Sequence, residues 1–502
     1  MNQSYDCING DATDVLSYVK LRGGKTFLLG TLKCKAMLEW LHGRFEAAST
    51  KLHSLTTRQL FYGMLLGFSL SVTSTSLALY FQERKRNRIQ SQFEARPIEL
   101  RSDEVVDGVT GLIGNTPLVR INSLSNALGI EILGKAEFLN PGGSVKDRVA
   151  LRMIEDAERQ GLLYPHTGSR IFEGTVGSTG ISIATIARAR GYEATIIMPD
   201  DVAEEKVKAL LSLGAEVERV RPASIIDKKQ NLARHRAEHF GQDNLHHPAR
   251  LRATSFSVVV TTTAADLIAP EHGPVTANDE HELRTKPRGF FADQFENKSN
   301  YDAHYDGTGP EIWRQTSGRV DAFVSGAGTG GTISGTGQYL KSMNEDVLVV
   351  LSDPEGSGLY NKIKFGVMFD MKEAEGTKRR HQVDTVVEGI GINRLTRNMQ
   401  FGLPLISDAF RISDAEAVAM SRYLVQNDGL FLGSSSACNL VACIKLAKKM
   451  GWKEGQRIVT ILCDSGSRHY SKFWNDDYLH RANIPINTKI IDDLLASTPI
   501  EA

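Results

Sequence analysis

Cysteine is scarce: Cys7, Cys34, Cys438, Cys443 and Cys463 are the only five in 502 residues, an odd number with no Cys-x-x-Cys pair. Such usage argues against a secreted scaffold built on disulfides. No His-Glu-x-x-His occurs either, so nothing points to zinc and no metal is expected. Neither sign of charge is in surplus, since 59 Lys and Arg balance 59 Asp and Glu. That balance argues against a nucleic-acid binder working through bulk electrostatics, and no nucleic-acid partner is expected. Apolar residues at 41% and charged residues at 24% exclude wholesale disorder. The length fits roughly two to four domains. Glycine alone is abundant, at 45 residues, about 9% against a usual ~7%.

One long stretch has no charge at all. Residues 59–82, QLFYGMLLGFSLSVTSTSLALYFQ, fill 24 positions. As a helix they would extend roughly 36 Å, enough for a ~30 Å hydrocarbon core. Ser69, Ser71, Thr73, Ser74, Thr75 and Ser76 crowd its middle. Their hydroxyls can bond back to carbonyls one turn earlier, which makes them tolerable in lipid. A buried core helix is the alternative. A cleaved signal peptide does not fit, because the run is too long and starts too far in. The basic flank Arg84-Lys85-Arg86-Asn87-Arg88 points instead to a single transmembrane anchor. Five Lys/Arg follow the run within 15 residues (Arg84, Lys85, Arg86, Arg88, Arg96) and three precede it (Arg44, Lys51, Arg58). The bias predicts that the part after the anchor faces the cytosol. Residues 1–58 form an extension without an assigned role, in which Asp6, Asp11 and Asp14 break the acid-poor pattern of a matrix presequence. Residues 83–104 read as a basic linker.

From about residue 105 to 480 the chain alternates β-rich runs with amphipathic helical patterns. Strands are expected at 131–136, 170–173, 194–198, 320–324, 347–351 and 457–462, and helices at 147–160, 181–190 and 414–426. This is the alternation of an α/β fold with largely parallel sheets buried on both faces. Thr308-Gly-Pro-Glu311 reads as a helix start with Thr as cap and Glu three positions later. Residues 241–287 break the pattern and read as a surface insertion, too long for an ordinary loop. Residues 481–502 are a tail too short for another domain.

Four loops carry candidate chemistry. Residues 320–332, VDAFVSGAGTGGT, form a strand, a Gly-rich turn and a helix start. Backbone N–H groups at such a turn make an anion cradle, and missing side chains let a phosphate come close. Gly326, Gly328 and Gly331 also satisfy Gly-x-Gly-x-x-Gly, with Asp353 after the next strand, as in a dinucleotide-binding unit. A Walker loop is excluded, because no Lys-Ser/Thr follows the glycines. The second loop, Asn140-Pro-Gly-Gly-Ser-Val-Lys-Asp-Arg148, sets Lys146 beside apolar Val145. A lone lysine is ordinarily a solvated charge; held near an aldehyde cofactor it is a nucleophile. The third, Glu173-Gly-Thr-Val-Gly-Ser-Thr-Gly180, suits a carboxylate held on backbone N–H groups, or is a plain connection. The fourth, Cys463-Asp-Ser-Gly-Ser-Arg468, puts Ser465 after a strand's C-terminal end, where α/β folds bind ligands.

In order, Ile113-Gly-Asn-Thr-Pro-Leu118, the Lys146 motif, the Gly174–Gly180 loop, His304-Tyr-Asp-Gly-Thr-Gly-Pro-Glu-Ile-Trp313, Gly328–Thr332, Glu388-Gly-Ile-Gly391, Gly433-Ser-Ser-Ser-Ala437 and Asp464-Ser-Gly466 resemble the cysteine synthase and cystathionine β-synthase family. The resemblance covers about 108–240 and 287–478. It implies the type II fold of pyridoxal-phosphate enzymes, two open α/β domains with the cofactor between them, and a homodimer. It also implies β-replacement on O-acetylserine by sulfide, giving cysteine and acetate through a small amino-acid substrate. By position, Lys146 would hold the pyridoxal 5'-phosphate covalently and act as general base. Gly328, Thr329, Gly330, Gly331 and Thr332 would cradle the phosphate, and Ser465 would bond the pyridine nitrogen. Thr175, Val176, Gly177 and Thr179 would clamp the substrate carboxylate, with Ser178 at the cofactor's ring oxygen. The anchored layout resembles the fungal mitochondrial branch, which implies the mitochondrial outer membrane, with another intracellular membrane or the mitochondrial interior as the alternatives.

The family's usual Thr-Ser-Gly-Asn-Thr is here Thr175-Val176-Gly177-Ser178-Thr179. A hydroxyl is lost at Val176 and a longer amide at Ser178, which bears on substrate preference and rate. Three other readings stand beside β-replacement: a serine or cysteine β-lyase or cystathionine-type synthase, a nicotinamide dehydrogenase using Gly326–Gly331 and Asp353, and an inactive membrane scaffold.

Overall fold

Alternating apolar residues build two separate sheets. The computed structural model describes residues 62–68, 70–71, 74–81, 84, 105–200, 202–220, 225–240, 285–369 and 385–497. The chain divides into two units, 1–88 and 89–502. In the second, ten strands run in chain order as β1 (Leu118–Arg120), β2 (Glu131–Ala136), β3 (Arg170–Gly174), β4 (Glu193–Pro199), β5 (Glu216–Val220), β6 (Gly289–Phe291), β7 (Ala322–Gly326), β8 (Leu348–Pro354), β9 (Ile406–Ile412) and β10 (Arg457–Leu462). The larger sheet has the order β1-β2-β10-β7-β8-β9 and is parallel except for β1 against β2. The smaller, β5-β4-β3-β6, is wholly parallel. All six expected strands are present, within a residue or two at most ends.

Parallel strands are covered on both faces, and the period of two sorts their side chains. Ala322, Val324, Ile458 and Leu462 enter one core cluster, while Phe323, Val459 and Ile461 enter another across the sheet. Within 481–502, the helix Lys489–Ala496 buries Ile491 in the first cluster.

Residues 62–68, 70–71 and 74–81 are helical. Ser74 and Thr75 donate their hydroxyls to the Ser71 carbonyl at 3.0 and 2.8 Å, the back-bonding the sequence suggests. Among the described residues, however, no helix is long and apolar enough to cross a membrane. This corrects the fold class expected above: the α/β architecture stands and the transmembrane helix at 59–82 does not. Serine and threonine take six of the eight positions from 69 to 76, and freedom from charge is not the same as apolarity. The insertion at 241–287 lies outside the described residues, except for 285–287.

A second expectation also changes. The helix Gly309–Gln315 continues from a π-helical turn, His304–Thr308, and the Thr308 side chain caps nothing. Its hydroxyl pairs with His304 Nδ1 at 2.9 Å, and Glu311 turns to Arg148 instead.

That last contact belongs to a buried ionic cluster. Arg148 donates Nε and Nη2 to Glu137 at 2.7 and 2.8 Å, and Nη1 and Nη2 to Glu311 at 2.7 and 2.8 Å. Lys135 Nζ stands 2.6 Å from Glu311 Oε2. Burial pushes the Lys135 amine down to about 8, against the pull of Glu311. Burial also works to raise the Glu137 pKa, but the Arg148 guanidinium outweighs it and holds Glu137 below its ordinary value. Glu311 is lowered in the same way. Removing one partner of a buried pair leaves an uncompensated charge and costs about 3–5 kcal/mol. Arg148→Met is therefore expected to lower stability by that order at pH 7 in a denaturant titration. The penalty should shrink as pH falls towards 4, because Glu137 and Glu311, no longer held down, take up protons. An unchanged midpoint at pH 7 would contradict the role given to Arg148.

Candidate active site

The Gly-rich turn after β7 leads into the helix Gly331–Met343. No side chain caps this helix, so its first N–H groups remain available to an anion. Gly330 has φ 89°, a left-handed conformation that suits glycine. A Cβ on Gly330 would meet Met399 Cα at 2.6 Å, and one on Gly328 would meet the Gly389 carbonyl at 2.3 Å. Thr329 Oγ1 accepts from Asn300 Nδ2 at 2.8 Å, and Thr332 Oγ1 lies 3.1 Å from His304 Nε2. The turn is thus a rigid backbone cup with two oriented hydroxyls.

Lys146 is the first residue of the helix Lys146–Arg159, whose Val149, Ala150, Met153, Ile154 and Ala157 are buried. Helix and core together fix where the amine points. Burial lowers the Lys146 pKa, while Cys463 and Asp464 oppose that shift. Such an amine is more readily neutral than a surface lysine and so more nucleophilic.

The loop after β3 enters the helix Ser178–Ala189. Gly177 has φ 140°, and a Cβ there would meet Lys206 Cδ at 2.5 Å. Thr175 Oγ1 accepts from the Gly177 N–H at 3.2 Å, and Thr179 donates to Gln294 Oε1 at 2.6 Å. Val176 is 43% exposed. Ser178 Oγ lies 3.5 Å from Arg468 Nη1.

These segments meet in one cavity of about 310 Å³, within the range of small-molecule sites. Lys146, Thr175, Val176, Ser178, Thr179, Gly328, Thr329, Gly330 and Thr332 line it. Gly177 and Gly331 hold the adjoining backbone without lining it. Ser465 does not line it either. Its Oγ caps a short turn, accepting from Ser467 N at 3.3 Å and from Ser467 Oγ at 3.0 Å. Asp353 is buried and accepts from Tyr360 N at 2.7 Å, outside the lining, so it does not serve a ribose there. Gln294, Lys206, Glu388, Asp464, His469 and Lys472 also line the cavity, with no role assigned by sequence reasoning. Glu388 and Asp464 lie inside quoted motifs. Lys206 and His469 carry no local signal.

A model of the family described as pyridoxal-phosphate dependent enzyme matches residues 109–464. The chain belongs to this family. Its cofactor is pyridoxal phosphate, and the site fits it: a capless glycine cup for the phosphate and a buried amine for the aldehyde share one cavity. The chain is 49% identical over 408 residues to cysteine synthase 2 of Schizosaccharomyces pombe, covering 81% of this chain and 92% of that one. It is 55% identical over 371 residues to cysteine synthase 2 of Emericella nidulans, covering 74% and 80%. A Saccharomyces cerevisiae protein, provisionally named a mitochondrial cysteine synthase, is 44% identical over 408 residues, covering 81% and 92%. Among solved structures, an O-ureido-L-serine synthase matches with TM-score 0.57 and 27% identity, over 74% of this chain and 96% of its own. The O-acetylserine dependent cystathionine β-synthase of Helicobacter pylori matches with TM-score 0.56 and 26% identity, over 74% and 98%.

Proposed function

We propose that this chain makes L-cysteine, exchanging the acetate of O-acetyl-L-serine for sulfide at Cβ. The observation that carries the reading is the cavity shared by the Lys146 amine and the Gly328–Thr332 cup. Relatives at 44–55% identity named cysteine synthases support it.

Lys146 would hold the cofactor's aldehyde carbon, and the cup would hold its phosphate through backbone N–H groups, Thr329 and Thr332. Pyridoxal phosphate, when bound, supplies an electron sink that lets the Cα proton leave. The Lys146 amine, with its pKa lowered by burial, takes that proton and returns it. The N–H groups of the Thr175–Thr179 loop bind the substrate carboxylate. Ser465 would offer the pyridine nitrogen a neutral hydroxyl once turned from Ser467. A neutral partner leaves the ring a weaker sink than a carboxylate would, which favours β-elimination over transamination.

The name of the Saccharomyces cerevisiae relative supports a mitochondrial location for the chain. Recovery of the tagged full chain away from mitochondria on cell fractionation would count against it.

Lys146→Ala is expected to yield a folded protein without visible cofactor absorbance and without cysteine formation. Full activity in that variant would sink the assignment. The altered loop gives a finer test. Losing a hydrogen bond costs ~0.5–1.5 kcal/mol when its partner still finds water. In rate this is a few-fold to about tenfold. Restoring the family loop with Val176→Ser and Ser178→Asn should raise O-acetylserine turnover by about that factor, with the longer Asn reaching towards Arg468. A fall in turnover would instead mean that Val176 and Ser178 are tuned to the native substrate.

A further inference from the structure

Two walls of the cavity belong to different sheets. The Thr175–Thr179 loop follows β3 of the smaller sheet, and the glycine-rich cup follows β7 of the larger one. Their spacing decides how a substrate held by one lines up with a cofactor held by the other. A misplacement of about 1 Å can cost roughly 10²-fold in rate. Lys206 spans the gap. It lies in the helix Glu204–Ser212, between β4 and β5, and lines the cavity while only 4% exposed. Its methylenes run along Gly177: a Cβ there would meet Lys206 Cδ, Cγ and Cβ at 2.5, 3.3 and 3.4 Å. The stem thus covers the loop's backbone and carries the ammonium past it.

Beyond Gly177 the Lys206 Nζ pairs with Glu388, which also lines the cavity. The segment that carries Glu388 is strapped to the cup. The Gly391 N–H donates to the Ala327 carbonyl at 2.9 Å, and the Gly389 carbonyl and Ile390 abut Gly328 and Gly326. Glu388 donates its own N–H to Ser434 Oγ at 3.0 Å. One residue before Lys206, Glu205 accepts from the N–H and the hydroxyl of Ser471 at 3.1 and 3.0 Å, a second tie from this helix to a loop of the larger sheet. Burial works to raise the Glu388 pKa, but the Lys206 ammonium outweighs it and keeps the carboxylate ionised. Lys472 at 3.8 Å and His469 at 3.5 Å face the same carboxylate. Removing Lys206 therefore leaves no bare charge behind, and its loss bears on the loop rather than on the fold.

We propose that Lys206 is a positioning residue for the substrate carboxylate: pinned by Glu388, its stem holds the Gly177 backbone and fixes the Thr175–Thr179 loop at its distance from the glycine-rich cup. This rests on the cysteine synthase reading, in which the N–H groups of that loop take the carboxylate of O-acetylserine. Lys206 does not itself touch the carboxylate; it acts through the backbone it covers. The ligands it governs are amino acids with a free carboxylate. An amino-acid amide, which brings no carboxylate to the loop, falls outside that class.

The test is Lys206→Met in the holoenzyme, which keeps the stem and drops the charge. Its visible absorbance should match the wild type. L-Alanine, which has no leaving group, reports binding apart from chemistry through the shift of the visible band. Its dissociation constant should rise about tenfold, within the span of coupled residues, while that of L-alaninamide should change by under about twofold. With O-acetylserine the same factor should appear in KM and leave kcat nearly unchanged. In a Glu388→Gln background, Lys206→Met should cost under about threefold, because the partner it acts through is gone. Lys206→Cys treated with 2-bromoethylamine, which rebuilds an ammonium at the length of lysine, should recover L-alanine binding, with treated wild type as the control. A colourless Lys206→Met, or equal losses with L-alanine and L-alaninamide, would overturn the positioning role. An undiminished loss in the Glu388→Gln background would overturn it too, by making Lys206 a direct ligand of the carboxylate. A coloured wild type that binds L-alanine in this Lys206-dependent way yet is inert to O-acetylserine and sulfide would overturn the cysteine synthase reading alone.

Discussion

Arg148 follows Lys146 by two residues, and all of its side-chain nitrogens are engaged by Glu137, Glu311 and Thr116. At 3.6 residues per turn, two positions amount to about 200° around the helix. Clamping Arg148 into the body of the fold therefore turns Lys146 the opposite way, into the cavity. The clamp also joins three pieces of chain. Glu137 follows β2, Arg148 lies in the Lys146 helix, and Glu311 lies in the helix Gly309–Gln315. That last helix follows the turn whose His304 touches Thr332 of the glycine-rich cup. One guanidinium thus sets the direction of the amine and links it to the elements that shape the cup. Arginine suits the task because its planar fork meets two carboxylates at once and keeps its charge when buried.

What could be read from the sequence follows how locally each feature is encoded. β2, β3, β4, β7, β8 and β10 are apolar runs, and burial on both faces writes them plainly. β5 is Glu216-Val-Glu-Arg-Val220, an edge strand whose charges face water. β6 has three residues, too few for any period to show. Thr308 and Glu311 have the spacing of a capping pair, yet the preceding π-turn already continues the helix and frees both side chains for longer contacts. The stretch 59–82 reads as membrane-spanning from its length and freedom from charge, but among the described residues no helix is long and apolar enough to cross a membrane.

The site divides in the same way. Lys146 and Gly328–Thr332 are legible because backbone shape and a single side chain define them within a few residues. Ser465 follows the C-terminal end of β10, but the direction of its hydroxyl depends on Ser467, which no pattern reports. Lys206 and Glu388 are 182 residues apart, and only the folded chain brings them together against the Gly177 backbone. Groups defined by pairing across such separations are beyond any local pattern, and they are where this cavity gains its second row of charges.

The order of the larger sheet has a bearing on how the chain is made. β10 lies between β2 and β7, so Arg457 pairs with Glu131 across 326 residues. The smaller sheet closes within 170–291 and can assemble while the ribosome is still at work. The larger one must wait, with β2 and β7 exposing unpaired edges until the last strand emerges. Unpaired edges of apolar parallel strands invite association with other chains. A nascent chain stalled before residue 457 thus holds one finished sheet beside one split at its centre, and its safe maturation depends on something shielding that gap until synthesis ends.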